Sequence, residues 1–221
     1  MSFEIKPKTV RLARVLLGGL ALLAAFAAGA QRPVPFAEPA RVEAAERELL
    51  NSERIERRFG SYDIEVLSSD ARFRVSNLYS LHDGARICRT FAVVAYPPRI
   101  DPRFRREHEE IVAGGSIGAV FARNGWTVTK RHLHFGDLPA TPKVAGLMRT
   151  DEGVPLAVHV YVLAVGKDGE AFDYATIAEV HHPEYLSSAD LPRIYGEPAT
   201  GADAEDPMVR EILAETVSRM R

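Results

Sequence analysis

Phe73–Tyr96 reads FRVSNLYSLHDGARICRTFAVVAY. Two runs rich in Val, Ile, Leu, Tyr and Phe flank Asp83-Gly84. That dipeptide suits a two-residue hairpin turn, whose central positions both need positive φ. Pro97-Pro98 then stops the second run. The same grammar returns at residues 156–181, LAVHVYVLAVGKDGEAFDYATIAEVH, around Lys167-Asp168-Gly169. Tight hairpins impose antiparallel pairing, so the chain is expected to form an α+β domain with one mainly antiparallel sheet and helices packed on one face.

Working outward, Tyr62–Leu67 alternates apolar and acidic residues as a half-buried strand does, and Trp126–Phe135 reads as another strand. Asp101-Pro102 opens a helix to about Ala113, with Asp as N-cap and Pro in the first turn. Gly114-Gly115 breaks it, and Ser116 caps a second helix, Ile117–Arg123. Thr141–Met148 and Asp190–Tyr195 read as short helices, and Asp206-Pro207 starts a terminal one to about Met220. Ala40–Phe59 is helical in composition and ends at Gly60, with Asn51-Ser52 as a possible break.

The N-terminus points out of the cytoplasm. Lys6, Lys8, Arg11 and Arg14 precede an uncharged apolar run, and Ala28-Gly29-Ala30 follows. This is the pattern of a secretory signal peptide over residues 1–30, cut before Gln31. An inner-membrane anchor over residues 15–30 is the alternative; either way residues 31–221 lie outside, in the periplasm or bacterial envelope. Residues 31–39, with three prolines, read as a tether, 40–195 as the folded domain, and 196–221 as a mobile linker and C-terminal helix.

The whole chain has 28 basic and 30 acidic residues; without the leader's four basic and one acidic residues, 24 stand against 29, a formal net of −5. That argues against nucleic acid as a partner, and leaves membrane contact to an uncleaved N-terminal segment. Cys88 is the single cysteine, so no intramolecular disulfide forms, and its strand setting suggests a small buried hydrophobe.

Several segments together resemble the chorismate lyases. Ser52–Val66 (SERIERRFGSYDIEV) is similar to their opening segment, and the Asp83-Gly84 hairpin carries Arg89-Thr90 on its second strand. Gly115–Phe121 resembles their helix start, and Ala178–Pro183 their closing strand. Ala140–Leu186 is also similar to the ligand-sensing UTRA domains, which share that fold.

The resemblance implies a pocket between sheet and crossover helices, with Glu179 as the catalytic or substrate-contacting carboxyl, held protonated by a raised pKa. It places Ile55 and Ile117 as apolar pocket residues and needs no cofactor. The arginine that grips a carboxylate in that family falls on Ser76, a departure from the pattern. Arg74, Arg89, and Lys130 or Arg131 are the remaining candidate anion contacts.

Other readings of these residues are blander. Alternation puts Glu179 on a face with Ile177 and Ala175, where a solvent-exposed sheet edge would explain it. His132 and His134 are expected on one strand face and could join His181 or His182, with His159 on another strand. No Cys-x-x-Cys or His-Glu-x-x-His accompanies them, so no metal site is expected. Gly114-Gly115-Ser116 lacks the Lys-Ser/Thr of a phosphate loop.

The sequence therefore points to an exported small-molecule-binding protein of chorismate lyase-like fold, for an anionic or aromatic metabolite. One alternative is a cofactor-independent lyase eliminating pyruvate from chorismate to leave 4-hydroxybenzoate. Another is a non-catalytic envelope interaction protein whose pocket is filled by side chains. An arginine in the pocket separates the first two from the third, and turnover separates the enzyme from the binder.

Overall fold

A computed structural model describes residues 49–198 and 206–221. The expected leader, tether and first helical stretch over 40–48, and most of the linker before the last helix, lie outside them. Six strands form one sheet: β1 (Asp63–Ser69), β2 (Phe73–His82), β3 (Ala85–Ala95), β4 (Thr127–Pro139), β5 (Pro155–Lys167) and β6 (Glu170–His181). Their order is β1-β2-β3-β6-β5-β4, and every neighbouring pair is antiparallel. The α+β class and antiparallel sheet are those expected from the two hairpins.

Both hairpins turn through Asp-Gly with positive φ at each centre: 50° and 76° at Asp83 and Gly84, 53° and 84° at Asp168 and Gly169. These are the dihedrals whose twist matches the flanking strands. The helices are α1 (Asn51–Phe59), α2 (Arg105–Val112), α3 (Ile117–Arg123), α4 (Pro142–Met148), α5 (Leu191–Tyr195) and α6 (Pro207–Met220). Asp101 caps a short 3-10 turn, Pro102–Phe104, which leads into α2, and its side chain accepts from the Arg103 amide. The single helix expected from Asp101 is thus split at Phe104.

Each sheet face has its own cover. On one, Phe104, Ile111, Val120, Phe121 and Trp126 pack on Val94, Tyr161, Leu163 and Ile177. Ile55 of α1 and Leu191 and Ile194 of α5 continue that layer over Leu78, Ala92 and Ala157. Thus the crossover helices α2 and α3 lie on one face, as the sequence leads one to expect, with α1 and α5 beside them. The opposite face is closed by α4 and α6, whose Val144, Met148, Val209 and Ile212 pack on Phe91, Val93, Val158, Val160 and Val180. Cys88 is fully buried in that second layer, where burial pushes its thiol up, so it stays protonated and inert. Among the described residues, no helix is long and apolar enough to cross a membrane.

Candidate functional site

Register gathers the polar residues of four strands on the face under α1 and α3. Ser76 lies opposite Ala92, Ala92 opposite Glu179, and Glu179 opposite His159. One row along, Arg74, Val94, Ile177, Tyr161 and His132 are successive partners. Side chains of directly opposed residues share a face, so these two rows form one surface. It is central, because β3 and β6 occupy the middle of the sheet. The exposed-edge reading of Glu179 is thereby overturned: the residue is only 4% exposed.

A cavity of about 70 Å³ sits between this surface and the starts of α1 and α3. Arg74, Ser76, Lys130, Tyr161 and Glu179 line its floor, and Ile117 and Gly118 its roof. Arg74 is 1% exposed. Its Nε donates to Ser76 Oγ at 3.0 Å, and its Nη1 donates to the carbonyls of Ile111 and Gly115 at 3.0 and 2.8 Å. Gly115 has no room for a side chain here, because a Cβ would meet Val120 Cγ2 at 2.7 Å and the Glu110 carbonyl oxygen at 3.0 Å. Arg74 Nη2 makes no hydrogen bond among the described residues; burial pushes the nearby Tyr96 hydroxyl up, and Arg74 opposes that push. No described carboxylate forms an ion pair with Arg74.

Across the cavity, Lys130 holds its ammonium 4.4 Å from the Tyr161 ring centroid and 4.0 Å from Glu179 Oε2. Glu179 Oε1 accepts from Asn51 Nδ2 at 3.0 Å and from the Tyr161 hydroxyl at 3.1 Å. Asn51 is itself oriented: its Nδ2 also donates to Thr90 Oγ1, and its Oδ1 accepts from the Tyr185 hydroxyl at 2.6 Å. Burial pushes the Glu179 carboxyl up, but Lys130, His181 and the bonds from Asn51 and Tyr161 outweigh it, so the net shift is downward. Glu179 is therefore a carboxylate at neutral pH. The expectation of a protonated acid with raised pKa is corrected by this ring of donors. Tyr161, pushed well up by burial and then by Glu179, stays a phenol and a donor.

The other candidates sit elsewhere. Ile55 is fully buried beneath α1, packed with Leu78, Ala92 and Tyr185, away from the cavity wall. Arg89 is engaged by Ser80 Oγ at 2.9 Å and Glu184 at 3.3 Å, with its guanidinium 3.7 Å from the Phe59 ring centroid. Arg131 is half-exposed and pairs with Asp173 at 3.0 Å, so Lys130 alone of that pair reaches the cavity.

The histidines divide differently from expectation. A register shift between His132 and His134 pairs them with consecutive residues of β5, Tyr161 and Val160. They therefore point to opposite faces, and the expected i, i+2 pair does not exist. His182 spends both ring nitrogens locally, Nε2 on the Met148 carbonyl at 2.9 Å and Nδ1 on the Glu184 amide at 3.0 Å. By contrast, His159, Glu179 and His181 bring ligand-type atoms within 4.8 Å of one another. Asn51 and Tyr161 were missed in the sequence, although strand parity with Ile177 and Glu179 is a signal for Tyr161.

A second recess of about 310 Å³ lies beside α6, lined by Tyr96, Pro97, Pro98, Met208 and Ile212. It is the larger of the two, but its Arg72 and Glu211 pair with each other and are more than half exposed. The smaller cavity is the one with buried, convergent polar groups, which is what fixes a ligand.

No protein-family model and no curated protein matches the chain. It is similar to a ligand-binding domain assigned to the GntR family of transcriptional regulators, from Bordetella bronchiseptica, with 13% identity and a TM-score of 0.39 over 56% of this chain and 87% of that one. A GntR-family transcriptional regulator from Enterococcus faecalis V583 aligns with 12% identity and a TM-score of 0.37 over 57% and 93%. The C-terminal domain of Yurk from Bacillus subtilis aligns with 17% identity and a TM-score of 0.34 over 57% and 90%. Likenesses this distant carry neither substrate nor residue roles across.

Proposed function

We propose that this is an exported protein that binds a small carboxylate-bearing molecule in the cavity between Arg74 and Lys130. The observation that carries this reading is Arg74, a buried guanidinium on the cavity floor with no carboxylate partner among the described residues. Burying an uncompensated charge costs several kcal/mol, and an anion supplying charge-assisted hydrogen bonds offsets that cost. Arg74 and Lys130 against ionised Glu179 leave the walls one positive charge in excess, suited to a monoanion. Tyr161 and Ile117 offer it an apolar flank.

Size narrows the ligand. The cavity, about 70 Å³, is roughly half the ~150 Å³ that takes up benzene in an apolar protein cavity. In this form it accepts a carboxylate head. An aromatic body requires the Leu50–Ser52 and Ile117–Gly118 walls to part.

Calorimetric titration of the full chain with formate, acetate, propionate and benzoate tests the reading. The expected result is saturable binding of the small acids, weakened at least tenfold in Arg74→Met. Binding that is absent, or indifferent to Arg74, overturns it. The exported location rests on the basic N-terminus and Ala28-Gly29-Ala30. N-terminal sequencing from the native host is expected to begin at Gln31, and an intact Met1 in a cytoplasmic fraction contradicts it.

The enzyme reading is less favoured, because an ionised Glu179 supplies no proton to a leaving group. The interaction-protein reading is less favoured too, because an arginine stands in the pocket where apolar filling would be needed.

A further inference from the structure

Beside the anion cavity, on the same sheet face, three buried acceptor atoms converge. His159 and His181 are fully buried and Glu179 nearly so. His159 Nδ1 lies 3.9 Å from Glu179 Oε2, and His181 Nε2 lies 4.0 Å from the same oxygen. All three atoms make no hydrogen bond among the described residues. Buried polar atoms are nearly always paired, so three orphans meeting at one point need a common partner.

The opposite ends of these side chains are committed. His159 Nε2 is 2.8 Å from His132 Nδ1, and His181 Nδ1 is 3.1 Å from Thr90 Oγ1. A proton placed on each of those outer nitrogens turns a lone pair of His159 Nδ1 and of His181 Nε2 toward Glu179. Glu179 Oε1 is taken by Asn51 and Tyr161, which turns Oε2 inward. The His159 ring is further held by stacking on Tyr195, with centroids 4.4 Å apart. Outer hydrogen bonds that fix ring orientation and tautomer are what metal-ligating histidines ordinarily have.

We infer that His159 Nδ1, Glu179 Oε2 and His181 Nε2 form a site for one divalent transition-metal ion, with zinc the best match to two imidazoles and a carboxylate. Burial holds His159 well below the usual imidazole range and His181 at about 4, so both are neutral and available as ligands at pH 7. Tetrahedral bonds of ~2.0–2.1 Å set ligand atoms about 3.4 Å apart. The observed 3.9 and 4.0 Å separations thus close by roughly half an ångström on binding. Two cations face the site. Lys130 lies 4.0 Å from Oε2, and Arg54 approaches through the Tyr195 hydroxyl, which its Nη1 bonds at 3.0 Å. Lys130 competes for the same oxygen, but it is partly exposed and lies toward the cavity, where it has room to withdraw.

The test uses the full chain, stripped with a chelator and titrated with cobalt(II) and zinc. One cobalt per chain with visible d–d absorption, displaced by zinc, is expected. His159→Gln and His181→Gln should each weaken binding by more than the ~10–100-fold typical of a lost outer partner. His134→Gln should leave it unchanged, and Lys130→Met should tighten it. In crystals of the unmutated protein soaked in zinc, an anomalous peak should lie between the three atoms, a readout independent of variant folding. A water alone at that point, a peak elsewhere, or cobalt binding that survives His181→Gln overturns the inference. Acetate titration of the metal-free protein reports the anion cavity separately, so either proposal can fail without the other.

Discussion

Arg74 donates from Nε to Ser76 Oγ across 3.0 Å, from two positions earlier on the same strand face. Ser76 stands where the chorismate lyase resemblance expects the carboxylate-gripping arginine. The guanidinium of Arg74 lies over that serine and reaches the same cavity. Arg74 thus brings a cation to the cavity from two positions before Ser76.

Replacing that cation is expected to be costly in two ways. Arg74→Met should weaken acetate binding by the 2–5 kcal/mol typical of losing a buried charge-assisted partner. It should also destabilise the fold by about 1–3 kcal/mol, because the Ile111 and Gly115 carbonyls lose their donor. Arg74→Lys keeps the charge without the fork and should fall between. Calorimetry and urea unfolding on the same preparations separate the two effects.

Chorismate is not expected to turn over. Elimination of pyruvate calls for a proton donor, and Glu179 is held ionised by Lys130 and by the hydrogen bonds from Asn51 and Tyr161. Incubation of the full chain with chorismate should release no 4-hydroxybenzoate above the uncatalysed rate. Release abolished by Glu179→Gln would make the protein a lyase.

Acid should unfold the protein through its buried histidines. Burial lowers His181 and His182 to about 4 from an unfolded value of 6.5. Between those values the unfolded chain binds more protons, so stability falls as pH drops from 6.5 to 4 and levels below. Each group contributes up to about 1.4 kcal/mol per pH unit inside that window. Glu179, shifted downward, adds stability above its unfolded value that is lost as pH falls through its folded one. Urea midpoints at pH 7.5, 5.5 and 4.5 should decline steadily, with a flatter slope in His182→Gln. A constant midpoint from pH 7.5 to 4.5 would count against the buried neutral imidazoles.

Phe121 anchors the cavity roof. It is fully buried, and its ring lies edge-on to Phe104, Trp126 and Tyr174 with centroids 4.8–6.0 Å away. Phe121→Ala should cost about 3–5 kcal/mol. It should also loosen α3, so acetate affinity falls although Phe121 does not line the cavity. Thermal melting and calorimetry check the pair of effects.

Local signals carried the partition into strands and helices. Asp83-Gly84 and Asp168-Gly169 dictate their turns because few dipeptides tolerate two positive φ values in succession. Asp101 and Asp206 mark helix starts by accepting from the Arg103 and Met208 amides, whereas Ser116 stands at the N-cap of α3 with no side-chain cap hydrogen bond. Parity along β6 likewise puts Glu179 on the face of Ile177. These features depend on neighbours in the chain, and one sequence contains them.

The site required long-range pairing. Parity names the face on which Glu179 sits, but only the docking of α1 and α3 makes that face an interior. Asn51 reaches Glu179 from 128 positions away, and Tyr161 from 18. The register shift at Leu133 turns His134 away from His132, and no local signal announces it. His159 and His181 meet because β5 and β6 pair in one register, and a slip of one residue would face them apart. Those contacts are set by which surfaces exclude water together, a property of the folded chain that no short stretch of sequence contains.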